Sequence, residues 1–307
     1  LGLDLQGGSY LLLEIDNKPV ITEILQNKVF EFRRFFKDKN IKIANFKVEN
    51  NLIKFSVKNT KIQEVINLLD DDDSLINPYY QDFKSHQFEF TNNENQFILK
   101  LSKHGLINIK NSSLDQSIEI VRKRIDETGT KEASILRRGS NRILVELPGV
   151  KDPERIKELL GKTAQLAFRM VTSDKSEFGN DIFILKDTGE EITVSKRVII
   201  SGENLIDAKP RFDNLNQEPI VAFTLNRSGS QRFGQATSRN IGKRLAIILD
   251  NQAISAPVIQ DSITGGQGTI SGNFTFQSAT DLALLLRSGS LPAPLSIVEE
   301  RTVGPDL

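Results

Sequence analysis

The sequence predicts an α+β fold in which the order βαββαβ recurs on antiparallel sheets, with a further lobe inserted toward the C-terminal end. Three observations carry that expectation. Residues 11–90 and 97–171 each read strand, helix, strand, strand, helix, strand, from apolar periods that switch between two and about three and a half. Residues 220–302 nearly repeat the order. Leu282–Pro305 reads as a helix end, a turn and a closing strand, and a strand so late must complete a sheet begun elsewhere. The βαββαβ order is that of a split, ferredoxin-like unit with helices on one face of the sheet.

In chain order, Gly7-Gly8 turns into the strand Tyr10–Ile15. Pro19 opens a helix whose stripe is Leu25, Val29, Phe32 and Phe36. Asn50-Asn51 joins two strands as a hairpin. Thr60 and Gln63 form a capping box for a helix with inner face Ile62, Val65, Ile66 and Leu69. Phe88–Phe90 and Phe97–Leu101 are strands about an Asn-rich turn. Ser113 and Gln116 cap a helix with stripe Leu114, Ile118, Val121 and Ile125, which Gly129 stops. Strands 133–137 and 142–147 follow. Asp152-Pro153-Glu154 starts the next helix, with an acceptor at the N-cap, Pro at N1 and an acid in the first turn. Residues 165–171 are a strand. Residues 172–216 read as a polar, glycine-punctuated connection. Strand 220–225, helix 229–240, strands 244–250 and 253–259, helix 278–287 and a strand from Leu295 complete the chain. Thr172–Ser173 and Gly272–Asn273 mark the limits of the inserted lobe.

The 307 residues suit two or three domains. A net charge of zero, 40 bases against 40 acids, argues against a chain-wide nucleic-acid footprint. Cysteine is absent, which fits either a periplasmic or a cytosolic protein. The longest apolar runs, 245–249 and 282–286, are too short to cross a bilayer. The chain begins at Leu1 without a secretory segment and so reads as part of something longer.

No constellation assembles a nucleophile, a base and an orienting group, so no catalytic, metal or cofactor residue is expected. His86 and His104 sit alone among polar residues. Thr264–Gly272 is glycine-rich but lacks the Lys-Ser/Thr ending of a phosphate loop, and a hairpin-forming loop is the better account. The acids Asp70–Asp73 lie at a helix end and splay into solvent. Glu299-Glu300-Arg301 reads as a strand with charges facing water or a partner. Arg122, Lys123 and Arg124 read as the solvated side of an amphipathic helix.

GLDLQGG at 2–8, RILVELPG at 142–149, IGKRLAIILD at 241–250, APVIQDSITGGQG at 256–268 and LLLRSGSLPAPLSIVEERTVGP at 284–305 resemble the SecD/SecF family of protein-export membrane proteins. The likeness is to the large first periplasmic domain of its SecD members, between two transmembrane segments. The resemblance implies a ferredoxin-like base of residues 1–16, 96–172 and 273–307, an inserted head of residues 173–272, and an extra N-terminal α+β unit of residues 17–95. It implies a place on the periplasmic side of the bacterial inner membrane. Its partners would be preprotein clients, SecF and the SecYEG channel, and it would assist export driven by the proton-motive force. The head would move on hinges at Thr172, Ser173, Gly272 and Asn273. The alternative role is a docking module for SecF or SecYEG without client contact. The client-binding residues are not assigned.

Overall fold

The computed structural model describes residues 7–150, 152–173 and 179–303. Its architecture is mixed α+β with antiparallel sheets. Packing divides it into two compact units: residues 14–116 with 137–143, and the described remainder.

The chain enters on β1 (Gly8–Ile15), whose Leu11, Leu13 and Ile15 are buried. Helix α1 (Lys18–Asp38) follows, with Leu25, Phe32 and Phe36 buried as the stripe requires. Strands β2 (Ile43–Glu49) and β3 (Leu52–Val57) turn about Asn50 and Asn51, both at positive φ, as a two-residue hairpin with the right twist demands. Helix α2 (Ile62–Asp70) buries Val65 and Leu69. The Thr60–Gln63 capping box does not form. A 3-10 turn over Asn59–Lys61 runs into the helix and puts Lys61 at its N-cap, with no side-chain bond. The two-residue strands β4 (Tyr79–Tyr80) and β5 (Ser85–His86) precede β6 (Phe88–Asn93) and β7 (Gln96–Leu101).

The sheet β2-β3-β7-β6 and the helices α1 and α2 share a core dominated by phenylalanine. Phe55 stacks between Phe46 and Phe97 at centroid distances of 5.4 and 5.3 Å. Strand Gln96–Leu101, expected in the base, belongs to this sheet, because its Phe97 and Leu99 complete that core.

Helix α3 runs from Lys103 to Glu127, eleven residues longer at its start than the stripe suggested. Its first turn is capped by Ser102, whose Oγ accepts from the Gly105 amide at 2.9 Å. Ser113 is therefore a buried mid-helix residue, not a cap. Gly105 hid this turn, since glycine weakens a helical pattern. It is needed there because a Cβ would collide with the Gln87 carbonyl.

Strands β8 (Ser134–Arg138) and β9 (Arg142–Pro148) and helix α4 (Pro153–Gly161) follow as expected; Asp152 Oδ1 accepts from Arg155 N at 3.1 Å. β10 (Leu166–Val171) does not close the first sheet. It is the middle strand of a second one, with β11 (Asn180–Ile184), β12 (Glu191–Ser201), β15 (Leu245–Leu249) and β16 (Gln252–Ser255) in the order β11-β12-β10-β15-β16. β13 (Leu205–Phe212), β14 (Pro219–Leu225) and β17 (Gln267–Ile270) make a third sheet, with helix α5 (Arg227–Ser238) between β14 and β15 in sequence. Three strands thus occupy the stretch read as a polar connection. Four of the nine residues of the Gly-rich stretch 264–272 form β17, where Gly268 lies against the ring of Phe223.

Leu245–Leu249 is apolar throughout because both its faces are buried. Leu245 and Ile247 join Phe168, Phe223 and Phe233 in one core; Ala246 and Ile248 join Phe183, Ile192 and Val194 in another. Helix α6 (Phe276–Ser288) puts Ala279, Leu282, Ala283 and Leu286 into the first of these cores. The closing strand β18 (Leu295–Val303) then takes the edge of the sheet β18-β1-β9-β8. The two described ends of the chain therefore meet, as the late strand required, and the Arg301 guanidinium lies over the Tyr10 ring at 5.8 Å.

Candidate functional site at the two crossings

The chain leaves α4 for the five-stranded sheet through residues 162–165 and returns from α6 to β18 through residues 289–294. Both crossings meet in one polar knot. The Leu291 amide donates to the Thr163 carbonyl at 2.8 Å. On one side stands Asp250, at the tip of the β15–β16 hairpin, where Asp250 and Asn251 both have positive φ. Its carboxylate accepts from Thr163 Oγ1 at 2.6 Å, from the Ala164 amide at 3.0 Å and from the Gln165 amide at 2.8 Å.

On the other side is Arg124. The basic run 122–124 predicts a solvated helix face, yet Arg124 has no exposed surface. Its guanidinium donates to the carbonyls of Leu159 (2.7 Å), Lys162 (2.5 Å), Thr163 (3.3 Å) and Gly289 (3.2 Å), holding the ends of α4 and α6 together. Burial pushes its pKa down to about 10, opposed by the Asp250 charge. No sequence period marks this residue. Its neighbours Arg122 and Lys123 are exposed, as expected.

Ion pairs flank the knot. Arg155 Nε and Nη2 donate to Asp281 Oδ1 at 3.0 and 2.7 Å, joining α4 to α6. Arg287 reaches both Glu127 oxygens at 3.2 and 2.6 Å. Lys157 binds Glu300 on β18 at 2.9 Å. Beside them opens a groove of about 630 Å³. Leu249, Ile254, Phe274, Leu282 and Leu285 supply its apolar surface, and Lys162, Lys186, Asp187 and Asp281 its mixed charges.

The four expected hinge residues do not come together. Thr172 follows β10, its amide bonded to the Thr193 carbonyl at 2.9 Å, and Ser173 is an exposed bend. Asn273 lies on the groove, and a Cβ at Gly272 would meet the Phe274 ring. The Leu166 end of β10, away from Thr172, pairs with Leu249, which lines the groove with Asn273.

Other parts of this unit expose apolar surface. Phe212 and Phe276, each about half exposed, stack at 5.3 Å with rings 9° apart. Leu215, at the turn after β13, is 96% exposed. Ile182 and Ile184 stand out from the edge strand β11. His86 touches Tyr79 and the Asp71 carbonyl, and His104 stacks on Phe83, both in the other unit. Among the described residues no group of acids and histidines could hold a metal ion. No described helix is long and apolar enough to cross a membrane.

A mixed α+β protein built on antiparallel sheets is the class this arrangement defines. Two family models match the chain. One is the SecDF P1 head subdomain, over residues 179–293; the other is the N-terminal P1 domain of protein translocase subunit SecDF, over residues 114–173. The protein translocase subunit SecD of Rickettsia typhi is 41% identical over the whole chain, and that of Acetobacter pasteurianus 38%. The chain spans 59 and 60% of those proteins' lengths. A crystal structure of SecDF in its super-membrane-facing form matches 99% of the chain and 31% of its own length, with a TM-score of 0.59 and 26% identity. A structure of SecDF, described as a membrane component that enhances protein export, matches 62% of the chain and 92% of its own length, with a TM-score of 0.52 and 33% identity. The chain belongs to the SecD/SecF family.

Proposed function

We propose that this chain is the periplasmic part of a SecD-type translocase subunit in the bacterial inner membrane. It holds emerging preprotein and assists export driven by the proton-motive force, working with SecF and SecYEG and without catalytic residues of its own. The base is a ferredoxin-like sheet: β1, α3, β8, β9, α4 and β18 give βαββαβ, and the strand order β18-β1-β9-β8 puts the fourth strand beside the first. The head begins after α4 and ends after α6, since β10 and α6 share its core. Any swing of head on base is then carried at residues 162–165 and 289–294. Thr172–Ser173 and Gly272–Asn273, expected as hinges, lie within the head.

The observation that carries client holding is the bare apolar surface beside open strand edges. Phe212 lies on β13, an edge strand, and Phe276 two residues beyond Phe274 of the groove. An unfolded client offers extended backbone and scattered apolar side chains, which such edges and rings take without sequence preference. The test is a photoactivatable residue at Phe276 in the full-length subunit with a client stalled in the channel. Client adducts are expected. Adducts confined to SecF or SecYEG would reject this reading in favour of a docking module.

A further inference from the structure

We propose that the N-terminal α+β unit docks on anionic phospholipid through the C-terminal half of α1 and the start of β2. This goes beyond the client-holding reading and does not depend on it. Residues 28–47 carry seven bases (Lys28, Arg33, Arg34, Lys37, Lys39, Lys42, Lys47) against two acids (Glu31, Asp38), in a chain whose net charge is zero. Only Lys28 and Lys47 have ion-pair partners among the described residues, Glu31 and Glu49.

At 100° per residue, Arg33, Arg34 and Lys37 surround Phe30 on one face of α1. That phenylalanine is 69% exposed, although the unit buries five other phenylalanines in its core. A bare ring ringed by cations is the pattern of a helix lying in a lipid interface, with the ring in the acyl boundary and the cations at the phosphates.

Beside this face is an open groove of about 680 Å³. Arg33, Lys37, Lys42, Asn40, Asn45 and Phe46 line it. The Arg33 guanidinium lies 5.7 Å above the Phe46 ring, which leaves its edge donors free for a phosphate. β2 is an edge strand, and its register slips between Ala44 and Lys47, where Asn45 has positive φ. That bulge discourages pairing with an added peptide strand and favours a headgroup over an extended acidic chain. The carbonyl end of α1 opposes an anion, so attraction falls to the side-chain cations. Neither family model reaches residues 14–113, so nothing in those matches assigns this surface.

The experiment is co-sedimentation of the whole chain with vesicles of phosphatidylcholine, with and without phosphatidylglycerol. Binding should require phosphatidylglycerol and weaken as salt rises. At about fivefold per cation, Arg33→Gln with Arg34→Gln and Lys37→Gln should weaken partitioning by roughly 100-fold. Phe30→Ser should weaken it several-fold. Arg33→Lys with Arg34→Lys, which keeps the charge, should stay within a few-fold of the parent chain. All these side chains are exposed, and an unchanged melting curve will show that the fold is kept. Equal binding to neutral vesicles, an unaffected triple Gln variant, or capture of polyglutamate in preference to phosphatidylglycerol would each overturn the proposal.

Discussion

Replacing Arg124 by Met should loosen both crossings at once. Four carbonyls accept from the guanidinium, and charge-assisted bonds contribute about 1.5 kcal/mol each at the low end, or about 6 kcal/mol together. Against this stands the cost of keeping the charge buried. A pKa pushed down to about 10 corresponds to about 3 kcal/mol at pH 7. Methionine removes both contributions, so the net loss is about 3 kcal/mol. Lysine keeps a charge but has three donors and no fork, and should lose about half as much. Native-state hydrogen exchange reads this locally. The Leu291 amide, bonded to the Thr163 carbonyl, should exchange about 100-fold faster in Arg124→Met, while the amides of β14 change little. If the Leu291 amide is unaffected, or if all amides accelerate equally, Arg124 is not the clamp on the crossings.

Three further outcomes follow from the same geometry. Gly105→Ala should cost about 1–3 kcal/mol and lower the melting temperature of the N-terminal unit by several degrees, because the added Cβ meets the Gln87 carbonyl; an unchanged melt would contradict that close approach. The Asp207 carboxyl is held below its ordinary 3.8 chiefly by its bond to Lys209, and Glu190 below 4.5 chiefly by its bond to Arg244. Both folded values are depressed, so these contributions are fully present above the ordinary values and are lost as pH falls through the folded ones. Stability of this region should hold from pH 7 to about 5 and decline below about 4, less steeply in high salt; stability that rises on acidification would contradict it. Since the chain has no cysteine, Arg155→Cys with Asp281→Cys gives a unique pair for a short bismaleimide joining α4 to α6. In the full-length subunit that bridge should stop export, and normal export with the bridge formed would reject a head moving on these crossings.

The sequence made the local elements legible wherever period and end signals agreed. Asn50-Asn51, Asp152-Pro153 and Gly129 each did what their side chains and φ preferences require. The late apolar helix and closing strand also foretold that the ends of the chain share a sheet. What failed was assignment of strands to sheets. β10 and β18 are both plausible partners for β1, and only long-range packing, with Phe168 against Phe223 and Phe233, places β10 elsewhere. Strands β12 and β13 were missed because their outer faces carry charge and their inner residues are spaced among polar ones, and β11 because its exposed Ile182 and Ile184 beside buried Phe183 break the polar-apolar alternation. Arg124 was misplaced for a different reason. A charged residue beside two solvated ones has no local mark of burial, and its partners are carbonyls whose sequence says nothing.

The central claim, that this chain holds unfolded protein on bare aromatic surface, is tested most directly by titrating it with a labelled secretory protein kept unfolded. Weak, saturable binding is predicted, reduced several-fold by Phe212→Ser with Phe276→Ser and unchanged by Phe83→Ser in the other unit. Binding that ignores the Phe212 and Phe276 changes, or falls equally with Phe83→Ser, would contradict it.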